Sequence, residues 1–233
     1  HNRVRRQRQM CIRDRYKMSK HSKISIFILP ALFILVLFII EWIEKTYGMR
    51  FAKYGILPRT LEGLKGVLLS PFIHSDWKHL TNNALPLFVL TATLSFFYKG
   101  IAKEIFLWSW LMSGLWLWAI GRSSFHIGAS GLLYALASFL FFSGFIRKHT
   151  KLMSISMFVV FLYGGMVWGI FPMKKHISWE GHLVGALAGL ILAYWFKDNG
   201  PPKQVYQYEI DELMEEKEQK YNYEYKEKEK NHK

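Results

Sequence analysis

The chain has 233 residues, a length that suits one domain, and 51% of them are hydrophobic and 17% aromatic. Its formal charge of +14 does not sit in one basic face: residues 1–23 hold nine Lys/Arg against one Asp, residues 24–196 hold 14 against six acidic, and residues 197–233 hold eight against ten. Charge that flanks apolar runs in this way suits anionic lipid headgroups and argues against a nucleic-acid partner. The single cysteine, Cys11, excludes an internal disulfide and a cysteine metal cluster.

Six apolar blocks follow one another: Ile24–Ile40, Leu80–Phe97, Ile101–Ile120, Ser130–Ile146, Leu152–Phe171 and His182–Phe196. A helix needs ~20 mostly apolar residues to span a bilayer, which the third and fifth blocks supply and the others reach with flanking residues. Lone strands cannot satisfy their backbone in lipid, so all six are expected to be helices. The expected fold is all-α, a polytopic membrane protein with a bundle of six transmembrane helices over residues 24–196.

Ahead of the bundle, residues 1–17 have no apolar period, and Met18-Ser-Lys-His-Ser-Lys resembles a natural start, so the first residues look foreign to the protein. No small-residue cleavage site follows Ile40, so the first block is expected to stay in place as a span. The segment 44–78 is too broken by Gly and Pro to span and too apolar for a free linker; it is expected to lie in the membrane interface. The tail, 197–233, is rich in Lys, Glu and Tyr and is expected to be solvated. Without residues 1–17, Lys/Arg near the spans number nine on each side, six of the opposite nine in the long first loop; leaving that loop out gives nine against three in favour of cytoplasmic termini.

Helix parity locates the chemistry. The second, fourth and sixth helices start on the same side of the membrane, and their first turns carry His79-Leu-Thr-Asn-Asn83, Gly128-Ala-Ser-Gly131 and Gly181-His182. Polar side chains within a membrane are costly and point to function. Ser130 is the candidate nucleophile and His182 its general base. Free N–H groups at the start of the fourth helix, around Gly128 and Ser130, suit a developing oxyanion. His79 and Asn83, four apart, can add two side-chain donors. Tyr134, four residues beyond Ser130, can hold the imidazole by stacking. Glu180, two residues from His182, does not face it along a helix, so a dyad without a carboxylate is expected. Gly181, Gly185 and Gly189 recur every fourth residue and invite close packing against Gly131, Ala135 and Ser138.

His74, His126 and His176 are assigned to the interface. There is no H-E-x-x-H, and the spacing of His74 and His79 is poor for one helix face, so neither a metal nor any other cofactor is expected.

Together these residues resemble the rhomboid family of intramembrane serine proteases: His74 with His79 and Asn83, Gly128-Ala129-Ser130-Gly131 with Tyr134, and His182 followed by Gly185 and Gly189. The resemblance implies a Ser130–His182 dyad, with an oxyanion site from His79, Asn83 and the backbone around Gly128 and Ser130. It implies a site sunk below the extracytoplasmic surface of a bacterial cytoplasmic membrane, with membrane-protein substrates. Many family members carry Trp-Arg in the first loop; this chain has Pro58-Arg59-Thr60 there. A catalytically silent membrane-protein binder of the same fold is the first alternative. A small transporter is the second, although no internal repeat and no ionisable residues deep in several spans support it. The sequence leaves the oligomeric state open.

Overall fold

The computed structural model describes residues 20–173, 177–201, 211–221 and 223, with side chains from residue 26 onward. The expected foreign segment 1–17 and His176 lie outside the described residues.

Among the described residues six long helices follow one another: α1 (Lys20–Thr46), α2 (Trp77–Phe97), α3 (Ala102–Ile120), α4 (Ser130–Ile146), α5 (Thr150–Tyr163) and α6 (Trp179–Trp195). Among the described residues there is no strand, only an isolated bridge between Ile56 and His126. The stretches Ile26–Thr46, Trp77–Phe97 and Thr150–Ile170 are long and apolar enough to cross a bilayer, and Ser130–Ile146 is apolar but shorter.

The helix ends follow local chemistry. Asp76 caps α2 by accepting the His79 N–H at 2.9 Å. That bond, and a second from the Ser75 hydroxyl, hold the Asp76 carboxyl below its usual range. Helix α1 runs six residues past Ile40 because its polar end is buried. Glu41 and Glu44 are 1% and 7% exposed; Lys45 lies 3.4 Å from Glu41, and the Phe51 N–H donates to Glu44. The fifth apolar block divides: α-helical bonding ends at Tyr163, and Gly164–Ile170 continues as a 3-10 turn. Two consecutive glycines at that junction weaken the α-helix.

Helix α4 is the centre of the bundle and packs on α2, α3, α5 and α6, whereas α1 rests on α2. Leu132, Leu136, Phe139 and Leu140 on α4 are essentially unexposed. The tightest pairing is with α6. A Cβ on Gly185 would collide with the Gly131 carbonyl, and one on Gly189 with the Ala135 carbonyl. Ser138 Oγ donates to the Ala186 carbonyl at 2.6 Å across the same seam. The glycines every fourth residue thus set the depth of helix approach.

The first loop is fastened to α3. Trp110 Nε1 donates to the Val67 carbonyl at 2.9 Å, and Trp118 Nε1 to the Thr60 carbonyl at 2.8 Å. Arg59, at φ 60°, reaches the Gly121 carbonyl at 2.7 Å and Ser123 Oγ at 3.2 Å, while its N–H meets the Trp118 carbonyl. Arg59 and the two α3 tryptophans therefore fix this loop without a Trp-Arg pair. Residues 211–221, in a second unit that begins at Pro202, form a helix with exposed side chains.

Candidate active site

Ser130 is the first residue of α4 and His182 lies in the first turn of α6, so the glycine seam between these helices brings them together. His182 Nε2 is 2.9 Å from Ser130 Oγ. On the other side of the ring, Nδ1 is 2.9 Å from the carbonyl of Gly169, in the 3-10 turn after α5. A carbonyl only accepts, so Nδ1 carries the proton and Nε2 presents its lone pair to the serine hydroxyl. That tautomer is the one a general base requires. Tyr134 stacks on the imidazole with centroids 4.2 Å apart and planes 7° from parallel. Its hydroxyl donates to the Met166 carbonyl at 2.6 Å, so both ring partners of the site hold the same 3-10 turn.

The opposite wall comes from α2. A Cβ on Gly128 would lie 2.9 Å from the His79 ring and 3.6 Å from Asn83 Nδ2. Gly128 is at φ 104°, where a side chain would be strained as well. Its N–H donates to the Ser70 carbonyl at 2.9 Å. What Gly128 supplies is therefore space, and the Ser130 N–H, in a helix's first turn, is the better placed backbone donor. His79 Nδ1 faces the N–H and Oγ of Ser75 at 3.4 and 3.2 Å, which leaves Nε2 to carry the proton towards Gly128. Asn83 is 6% exposed, and its Nδ2 has no hydrogen-bond partner. A buried amide left with an idle donor is uncommon and marks a place for an acceptor to arrive.

Ser130, His182, Tyr134, His79 and Asn83 border a cavity of about 860 Å³, whose lining also includes Asn82, Leu133, Tyr163 and Met166. Gly131 backs onto the Gly181 carbonyl, 3.3 Å from where its Cβ would stand.

Some participants have no sequence signature. The Gly169 carbonyl is backbone, and its partner is 13 residues away. Glu180 turns from His182 and pairs with Arg122 at 3.3 Å; Arg122 also donates to the Ile177 carbonyl at 2.9 Å. His126 joins this clasp, with Nδ1 2.6 Å from Ser178 Oγ and Nε2 3.0 Å from the Arg122 carbonyl. Burial pushes the His126 pKa down. His74 is 1% exposed and sits edge-on to His79, with centroids 5.0 Å apart. It is buried rather than interfacial, and burial, with some repulsion from His79, lowers its pKa to about 3. Among the described residues no group of His, Cys, Asp or Glu is arranged to hold a metal.

Residues 62–199 match the rhomboid domain family, well over half of the chain. The chain belongs to the rhomboid family. It is 36% identical over 176 residues to uncharacterised proteins of Mycobacterium bovis and Mycobacterium tuberculosis, covering 70% of this chain and 71% of each relative. An uncharacterised protein of Mycobacterium leprae is 33% identical over 174 residues, covering 70% of this chain and 68% of the relative. This rhomboid is an integral membrane protein built on the helical bundle of that family of intramembrane proteases.

Proposed function

We propose that this rhomboid is an intramembrane serine endopeptidase that hydrolyses peptide bonds in or next to the transmembrane segments of membrane-protein substrates. The 2.9 Å approach of His182 Nε2 to Ser130 Oγ, with Nδ1 held by a carbonyl, is the observation that carries this reading. In the proposed reaction Ser130 Oγ attacks the scissile carbonyl as His182 takes its proton. The tetrahedral oxyanion forms beside Gly128, the glycine that His79 Nε2 and Asn83 Nδ2 approach, with the Ser130 N–H as the backbone donor. His182 then gives its proton to the leaving amine. A water, deprotonated by the same imidazole, releases the acyl group from Ser130. Tyr134 keeps the imidazole plane fixed throughout, and Gly131, Gly185 and Gly189 keep α4 and α6 at the separation the dyad needs.

Six spans over residues 24–196, with cytoplasmic termini, would place the cavity on the extracytoplasmic side. The lysine and arginine distribution supports that orientation. Substrate access fits movement of the 3-10 turn after α5, which one hydrogen bond joins to His182 and another to Tyr134.

The test is cleavage of a model transmembrane substrate by the full chain in proteoliposomes. Wild type cuts it, whereas Ser130→Ala and His182→Ala do not. Cleavage retained by either variant rejects the dyad. No cleavage by wild type across a panel of transmembrane substrates favours a silent binder.

A further inference from the structure

None of the described lining of the dyad's cavity comes from α1, yet the last turns of that helix hold a buried carboxylate. Glu41 is 1% exposed, and its Oε1 lies 3.4 Å from Lys45 Nζ, an ion pair rather than a hydrogen bond. The two residues are four apart and share one face of the helix. A carboxylate taken out of water with one cation beside it is costly to keep. Glu44, three residues on, is engaged by the Phe51 N–H, so the two acids serve different ends of the first loop.

The ammonium reaches on to the start of α2. Lys45 Nζ donates to the Ser75 carbonyl at 2.9 Å. Ser75 immediately precedes the Asp76 cap, and it faces His79. Its hydroxyl donates to Asp76 Oδ2 at 2.7 Å, so it has no proton left for the imidazole 3.2 Å away. The donor to His79 Nδ1 is therefore the Ser75 main-chain N–H, at 3.4 Å, a long bond. In the other tautomer a proton on Nδ1 would be accepted by Ser75 Oγ, and the Nε2 lone pair would face Gly128. Both tautomers thus find a partner on one residue, and the position of the Ser75 backbone decides between them. The choice matters for chemistry, because an Nε2 proton can bind a developing anion and an Nε2 lone pair repels it.

We propose that Lys45, held by Glu41, is a positioning residue for the oxyanion wall: by fixing the Ser75 backbone it keeps the His79 proton on Nε2. This rests on the proposed role of His79 in proteolysis. Lys45 touches neither the dyad nor the cavity; it acts through Ser75 on His79 alone. A pair that merely tied α1 to α2 would change stability and leave the tautomer of His79 as it is.

The test joins a spectroscopic readout to a kinetic one. Nitrogen NMR of the full chain in detergent, labelled at the histidine ring nitrogens, reports which nitrogen of His79 carries the proton; the His79 signals are those lost in His79→Ala. Wild type shows the proton on Nε2. Lys45→Met and Glu41→Gln each shift population to the Nδ1 tautomer, and Lys45→Arg, which keeps a cationic donor, restores Nε2. In proteoliposomes Lys45→Met lowers kcat towards the loss of His79→Ala, about 10-fold, with KM little changed. The double variant Lys45→Met/His79→Ala is no slower than His79→Ala alone, because both changes remove the same donor. An unchanged His79 signal in either Lys45→Met or Glu41→Gln overturns the inference, as do losses that multiply in the double variant. Melting in detergent identifies a variant that fails to fold; if Lys45→Met does so, Glu41→Gln decides alone. The tautomer readout needs no substrate, so it separates failure of this inference from failure of the proposed proteolysis.

Discussion

The imidazole of His182 is held as an acid–base residue must be, without a carboxylate behind it. A backbone carbonyl at 2.9 Å fixes its tautomer, and a stacked ring fixes its plane. A carbonyl stabilises an imidazolium less than a carboxylate does, and it avoids burying a second charge in a low-dielectric site. Tyr134→Phe keeps the stack and drops the Met166 bond, so it should lower turnover far less than Tyr134→Ala, which loses both; equal losses would move the role of Tyr134 from ring to hydroxyl. On the α2 wall, Asn83→Ala should lower kcat by roughly 10²–10³-fold, the usual effect of removing one oxyanion donor, with KM little changed. His79→Ala should cost about 10-fold or more by the same reasoning. Steady-state kinetics on one substrate measures all three.

His74 makes a prediction about pH. Its folded pKa is near 3 against 6.5 for the free group, so below pH 6.5 the unfolded chain takes up a proton that the folded chain refuses. This residue's contribution to stability is therefore full above pH 6.5 and declines as pH falls towards 3. Thermal melting in detergent between pH 7 and 4 should show a decline that is shallower in His74→Phe. An identical slope in the variant would contradict a buried neutral His74.

Among the elements, the α4–α6 seam carries the most. Gly189→Val drives a side chain into the Ala135 carbonyl and should lower the melting temperature through overpacking, commonly worth 1–3 kcal/mol or more. Gly185→Val meets the Gly131 carbonyl, next to Ser130, and should abolish cleavage even where it leaves a folded protein. Separate melting and cleavage measurements distinguish the two; a Gly185→Val enzyme with normal turnover would show that the dyad tolerates a wider seam. This seam was legible in the sequence, because glycine at every fourth position has few uses in a membrane helix besides close packing. Helix α4 was legible to the residue, bounded by Gly128-Ala129 and by Arg147. The division of the fifth block was not, since its hydropathy continues unbroken through Gly164 and Gly165 into the 3-10 turn. Nor was the length of α1: Glu41 and Glu44 look like a helix's wet end until their burial and partners are seen.

Across the whole molecule, the parity of helices 2, 4 and 6 draws Ser130, His182, His79 and Asn83 to one end on sequence grounds alone. Their proximity in the structure follows the same parity, and the rhomboid membership agrees with it. What the sequence could not supply is backbone and clasp. The Gly169 carbonyl, the Ser75 contact that sets the His79 tautomer, and the Arg122–Glu180 pair with His126 and Ser178 all arise from loops that come together only on folding. Gly128 shows the converse. Its place beside His79 and Asn83 was legible, but the use of its N–H by Ser70 was not.

In the proposed reaction His182 activates Ser130 as a nucleophile. The most direct measurement is covalent labelling of the full chain in detergent with a fluorophosphonate, followed by peptide mass mapping. A single adduct on Ser130 is expected, formed by wild type and absent from His182→Ala. No adduct in the folded wild type, or equal labelling of Ser130 without His182, would contradict it.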